Sequence, residues 1–386
     1  MALAGMIGAI VVAAGIAALL VYMLVHGTGG PGTDPTRRMG SVTKSRPAPA
    51  PPSAPVVTTA PVSSPGFGRV SGISWKPGGE GRAARRRRGQ LPPEALVTFA
   101  EERKAAAIDD VFAALDRELV GLVPVKKQVE QVGSLLLVDR VRQRFGLMAP
   151  RPNLHMCFTG APGTGKTTVG LLMAGLLHQL GYLEQGHLVH AMRDDLVAEY
   201  VGQTAPKTRR VIDRAMGGVL FIDEASALYQ PDNSKDFGLE AIEILLQVME
   251  NERDKFIVIL AGYKDRMDVF FQSNPGLRSR IAHHLNFADY DLDELVAIGR
   301  MMLERANYYL SEEAEAAFRE YLVLRMNQPL FANARSVRNE LERARLRHAH
   351  RLAADQHRSW GRDDLMRIEA ADILPGRLLS VPVGDL

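Results

Sequence analysis

Eight consecutive residues, Gly160-Ala161-Pro162-Gly163-Thr164-Gly165-Lys166-Thr167, have the types and spacing to hold a chain of phosphates. They match G-x-x-x-x-G-K-S/T in full, and Thr168 extends the run. Glycines let backbone N–H groups turn inward around phosphate oxygens, and a following helix adds the positive end of its dipole. Lys166 would reach the β- and γ-phosphates, and the Thr167 hydroxyl would hold Mg²⁺. The stretch follows the apolar run Leu154–Phe158 and opens a helical pattern, so a chance glycine-rich turn is disfavoured. The chemistry is ATP or GTP binding.

A second element supplies acid. Val219-Leu220-Phe221-Ile222 is apolar and ends in Asp223-Glu224. Asp223 at a strand tip can organise Mg²⁺, and Glu224 can orient or deprotonate the water that attacks the γ-phosphate. Alone, two such acids could be loop residues; beside the phosphate loop they point to hydrolysis by water. Glu199-Tyr200-Val201-Gly202-Gln203 sets an aromatic and an aliphatic residue on a polar loop, a surface suited to gripping another chain. The bland alternative is a Tyr200 folded back on its own domain. Arg278 and Arg280 precede the last apolar run, where a guanidinium could reach a neighbouring subunit's γ-phosphate or simply form a surface salt bridge. Arg335 opens a helix and could lie over the nucleotide, although basic helix faces are usually just solvated.

Strands and helices must place these groups. Short apolar runs at 154–158, 188–191, 219–222, 256–261 and 284–287 alternate with helical patterns near 167–180, 206–216, 237–251 and 264–272. Two further helices, about 108–119 and 125–145, precede them. Five buried strands alternating with helices predict an α/β fold with a parallel sheet covered on both faces. After Phe287 no strand signal remains, and amphipathic stretches near 291–306, 311–326 and 334–353 predict a helical lid. The expected domains are an ATPase domain over 104–288 and the lid over 289–386.

Of the 386 residues, only Cys157 is a cysteine, which excludes a disulfide framework and cysteine-clustered metal sites. Its apolar neighbours make it a small core residue. The formal charge of +3 is split, because residues 35–93 hold eleven Lys/Arg and one acid. That leaves 36 basic and 42 acidic residues in 94–386, too acidic for a phosphate-backbone surface, so no nucleic-acid partner is expected. Residues 1–25 carry no charge, and as a helix would span roughly 37 Å, enough for a bilayer. They read as a membrane anchor or as a cleaved signal. Residues 26–103 are Pro-, Ser- and Arg-rich, which predicts a disordered linker or a transit segment. A two-part plastid address would deliver the protein to the stroma. An anchor would instead leave a cytoplasmic domain, with the membrane touched only through the N-terminal segment.

Taken together, the phosphate loop, the Asp223-Glu224 strand, the Tyr200 loop, Asn274–His284 and Phe331–Asn339 resemble an AAA+ ATPase of the CbbX/CfxQ group, the red-type rubisco activases. The connecting stretches Asp116–Leu122, Thr204–Thr208 and Ile242–Glu250 narrow the resemblance to this group, which runs from about residue 104 to 380. It implies a homo-hexameric ring, with or without a second related subunit, that uses ATP and Mg²⁺ to pull on the rubisco large subunit. Inhibitory sugar phosphates are thereby released, and ribulose 1,5-bisphosphate acts as effector. By position, Lys166 and Thr167 match Walker A, and Asp223 and Glu224 match Walker B. Tyr200, Val201 and Gly202 match the pore loop, Arg280 the arginine finger with Arg278 as fallback, and Arg335 sensor 2. The Gly121-Leu122 turn falls where the family cradles adenine.

The chain departs from the pattern in two places. The fourth strand ends Ala261-Gly262-Tyr263, without the usual polar sensor 1, and the N-terminal leader is absent from compact bacterial activases. Rival readings are the same motor serving another protein client, as in secretion or sporulation, and an ATP-gated scaffold that remodels nothing. A small-molecule kinase is disfavoured by Glu224, Arg280 and the lid.

Overall fold

The computed structural model describes residues 90–147, 150–230 and 236–373. The leader at 1–25, the linker up to residue 89 and the end of the lid after 373 lie outside the described residues. Among the described residues, no helix is long and apolar enough to cross a membrane.

The chain enters through helices α1 (Phe99–Ala105), α2 (Ile108–Glu118) and α3 (Val123–Arg144). There follow β1 (Met156–Gly160), α4 (Lys166–Gln179), β2 (Leu188–Ala191), the single turn α5 (Arg193–Leu196), α6 (Thr204–Ala215) and β3 (Val219–Ile222). Next come α7 (Gly238–Asn251), β4 (Ile257–Gly262), α8 (Lys264–Ser273), α9 (Pro275–Arg280) and β5 (His283–Phe287). The five strands form one sheet in the order β2-β3-β4-β1-β5, and every pairing is parallel. This is the expected α/β sheet, with β1 between β4 and β5.

Strand alternation sends side chains to two cores. Met156, Phe158, Val219, Phe221, Ile257 and Ile259 pack on one face with Leu115, Leu136, Leu172 and Leu176 of α2, α3 and α4. Cys157, Leu220, Ile222, Val258 and Leu260 pack on the other with Ile212, Ile242, Leu245 and Phe270 of α6, α7 and α8. Cys157 is thus a fully buried core residue, and burial pushes its thiol up to about 12.

The lid comprises α10 (Leu292–Arg305), α11 (Glu312–Met326), α12 (Ala334–Ala354) and α13 (Arg362–Met366). Asp291 and Glu294 close a reciprocal cap at the start of α10, and the Ser311 hydroxyl caps α11. Lid residues Leu295, Phe318, Tyr321 and Val337 belong to the same apolar cluster as α2, α3 and α4, so this sheet face and the lid share one continuous core.

Two expectations are corrected. A strand pair does follow Phe287: β6 (Tyr309–Leu310) lies parallel to β7 (Arg367–Ile368) within the lid. Two residues per strand are too few to show alternation. In addition, α1 begins inside the stretch that composition assigns to the linker, and its Glu102 pairs with Arg144 of α3.

One buried histidine has a testable consequence. His155 is 2% exposed, and its Nδ1 accepts the Val258 N–H at 3.0 Å while Nε2 lies 3.4 Å from Met249 O. The ring is therefore held neutral, and burial lowers its pKa to about 4, against the raising effect of the Met249 carbonyl. An unfolded chain takes up this proton near pH 6.5. The contribution to stability is complete above pH 6.5 and is lost as pH falls toward 4, about 3 kcal/mol in all. Urea midpoints measured between pH 7 and 4.5 should fall more steeply for the parent than for His155→Gln. Parallel curves would contradict this.

Candidate nucleotide site

The phosphate loop joins the C-terminal end of β1 to the N-terminus of α4, whose middle is buried on all sides. Gly163 has φ 73°, and a Cβ there would lie 2.2 Å from Ala332 O and 2.9 Å from Arg335 N. The loop is therefore glycine where the lid backbone rests on it. Thr164 is fully buried, and its hydroxyl donates to Ala161 O at 2.8 Å. Lys166 Nζ donates to Gly160 O at 2.9 Å and Ala161 O at 2.7 Å. Thr167 and Thr168 are half-buried in the first turn of α4.

The residues at the end of β3 face the same loop. Burial lowers the Lys166 pKa, opposed by the negative fields of Asp223, Asp289 and Glu224 and reinforced by Arg335. Five charges from the loop, β3, the end of β5 and the lid thus share one environment. Asp223 is subject to burial, which would raise its pKa, but the hydrogen bond from His190 and the Glu224 N–H hold it below the usual carboxylate range. His190 Nε2 sits 3.5 Å from Asp223 Oδ2, and its ring stacks on Phe221 at 5.7 Å. Glu224 is exposed and left-handed, with φ 49°.

An ionised carboxylate, a hydroxyl and a lysine beside backbone N–H groups fit a hard cation that travels with phosphates, such as Mg²⁺. Among the described residues no three His, Cys, Asp or Glu side chains gather as a cation cage of their own.

Gly121 and Leu122 are both left-handed. A Cβ at Gly121 would fall 1.8 Å from Glu294 Oε1, so the turn is pressed against the start of α10. Leu119 and Leu122 are buried close to Gly165, making an apolar wall beside the loop. A cavity of about 540 Å³ opens on the other flank, lined by Ala161, Pro162, Tyr263, Arg325, Arg335 and Asn339 among others. Tyr263, the residue after β4, therefore borders the phosphate loop.

Two groups of residues stand apart from this cluster. Tyr200 is 67% and Val201 82% exposed, with Gly202 at φ 75°, so Tyr200 is not folded onto its own domain. Arg280 lies at the end of α9, with Nε 3.1 Å from Glu250 Oε2 and Nη1 donating to Gly276 O at 3.0 Å. Arg278 is exposed.

Sequence reasoning missed His190, Asp289, Tyr290 and the side chain of Asn333. Asn333 is fully buried and donates to Asp289 Oδ1 at 2.8 Å, while accepting the Tyr290 N–H at 3.0 Å. A polar residue within an otherwise apolar strand was the one available signal for His190.

Residues 156–289 match the ATPase family associated with various cellular activities (AAA), and residues 291–377 match the AAA lid domain. Protein CbxX, chromosomal, of Cupriavidus necator is 57% identical over 288 residues, 75% of this chain and 91% of its own. The chain belongs to the CbbX/CfxQ family of AAA ATPases. The ribulose bisphosphate carboxylase/oxygenase activase, chloroplastic, of Cyanidioschyzon merolae is 56% identical over 284 residues, 74% of this chain and 97% of its own. A protein CfxQ homolog of Pyropia yezoensis is 54% identical over 289 residues, 75% of this chain and 96% of its own. CbbX/CfxQ relatives thus align along nearly their whole length, across both the ATPase domain and the lid.

Proposed function

We propose that the chain is a red-type rubisco activase: an ATP-hydrolysing ring that pulls on the rubisco large subunit and frees bound inhibitory sugar phosphates. The carrying observation is identity above half with a relative named as a rubisco activase, spanning both the nucleotide loop and the lid. A homo-hexamer is the assembly, ATP with Mg²⁺ the fuel, ribulose 1,5-bisphosphate the effector and the plastid stroma the location.

In this reading the loop from Gly160 to Thr168 wraps the phosphates, and Lys166 neutralises charge that builds on the β- and γ-oxygens. Thr167 and Asp223 would hold Mg²⁺, which would supply positive charge against the phosphates when bound. His190 keeps the Asp223 carboxylate turned toward the site. Glu224 orients the attacking water and takes its proton. Arg335 reaches the nucleotide from the lid, Gly121 and Leu122 border the base, and Tyr200, Val201 and Gly202 grip the client.

Arg280 completes the site of the neighbouring protomer after leaving Glu250. Arg280→Ala is expected to cut turnover in intact rings on the order of a thousandfold. Glu250→Ala, which removes only the in-chain partner, should change it less than about threefold. Loss of turnover in Arg278→Ala with Arg280→Ala near normal would move the finger to Arg278.

The reading is tested by steady-state ATP hydrolysis with ribulose 1,5-bisphosphate and sugar-phosphate-inhibited red-type rubisco, added singly and together. Stimulation by both is expected. Turnover indifferent to either would point to another client, and assembly on ATP without turnover would point to a scaffold.

A further inference from the structure

The Asn333 side chain joins three segments that the reaction must keep in register. Its Nδ2 donates to Asp289 Oδ1 at 2.8 Å and lies 3.4 Å from Pro162 O of the phosphate loop. Its Oδ1 accepts the Tyr290 N–H at 3.0 Å. Tyr290 in turn donates its hydroxyl to Thr164 O at 3.2 Å, and Ala334 N–H donates to Gly163 O at 3.3 Å. Asn333 is 0% exposed and holds an unusual backbone, φ 48° and ψ −129°, one residue before α12. Arg335 follows two positions later, with its backbone N directly above Gly163.

Only a carboxamide satisfies this arrangement. The site needs one acceptor for Tyr290 N–H and two donors for Asp289 and Pro162 O. A carboxylate at 333 would face the Asp289 carboxylate and leave the Pro162 carbonyl without its donor, and a shorter side chain would leave buried polar groups unpaired.

We propose that Asn333 is a positioning residue that ties the lid to the phosphate loop and thereby sets Arg335 over the γ-phosphate. This rests on the ATPase reading of the site. The tie converts a lid movement into a displacement of the loop at Pro162, and the reverse.

The test is a variant series in the full chain. Asn333→Ala and the near-isosteric Asn333→Asp should each lower kcat by about 10- to 100-fold, since small misplacements of charge-stabilising groups have effects of that order. In the exchange Asp289→Asn/Asn333→Asp, a donor again faces an acceptor between the two positions, but no donor faces Pro162 O. Its melting temperature should recover to near the parent value while kcat stays at least tenfold down. Asn333→Ala combined with Arg335→Ala should be no more than about threefold slower than Arg335→Ala alone. Recovery of kcat together with stability in the exchange, multiplicative losses in the double variant, or unchanged kcat in Asn333→Ala would each overturn the proposal.

A readout without turnover separates this from the ATPase reading. In the nucleotide-free chain, amide hydrogen exchange over 161–165 should rise at least tenfold in Asn333→Asp, and unchanged exchange there would defeat the tie even in an active enzyme. A parent that hydrolyses no ATP would defeat the ATPase reading instead.

Discussion

Glu224→Gln should lower ATP turnover by at least about a hundredfold while leaving nucleotide affinity within about twofold. The amide keeps the size and hydrogen-bonding reach of the side chain but cannot accept the proton of the attacking water. In the proposed reading, binding would be carried by the glycine loop and by Lys166, whose ammonium donates to Gly160 O and Ala161 O within it. Assembly should therefore persist, and the variant should accumulate as an ATP-loaded ring. The backbone supplies an internal control, because Glu224 is left-handed at φ 49°. Such a conformation costs an L-residue roughly 1–2 kcal/mol. Glu224→Gly should thus lose the same turnover without losing stability, showing that the acid serves chemistry at some cost to the fold. Parent-like hydrolysis by Glu224→Gln, measured by phosphate release, would remove it from the mechanism.

The second large effect separates motion from fuel. Tyr200→Ala should abolish release of inhibitor from the client while basal ATP hydrolysis stays within about twofold. Tyr200 and Val201 contribute little to the core, being 67% and 82% exposed, so the melting temperature should move by no more than a degree or two. Exposed apolar groups on a loop closed by Gly202 are available to a passing chain rather than to their own domain. Rubisco reactivation is the measurement. Retained reactivation would assign the grip to another surface, and lost ATPase would show that the loop also shapes the nucleotide site.

Much of this arrangement is legible in the amino-acid sequence. The inner strands β1, β3 and β4 are legible because parallel strands buried on both faces are nearly continuous apolar runs, whereas the edge strands β2 and β5 are only partly buried. Lys166, Asp223 and Glu224 are readable because each belongs to a local motif, Lys166 at the start of α4 and the two acids just after β3. What lay hidden was either too short or too distant. The strands β6 and β7 have two residues each, and α5 has four, below the length at which periodicity appears. The Asn333 network joins positions 43 and 126 residues apart, which no local spacing reveals. His190 was missed for the related reason that strand order, which sets β2 beside β3, is a property of the sheet and not of either strand. Arg280 was placed by motif alone, and its pairing with Glu250 came only from the packing of α9 against α7.

Nucleotide hydrolysis must be coupled to a pull on the client for such a motor to work. The direct measurement is carboxylation by red-type rubisco that has been inhibited with a tightly bound sugar phosphate and then mixed with the full chain. Activity should return within minutes when ATP, Mg²⁺ and ribulose 1,5-bisphosphate are present, and should not return with a non-hydrolysable ATP analogue. Equal recovery with the analogue, or none with ATP despite brisk hydrolysis, would contradict it.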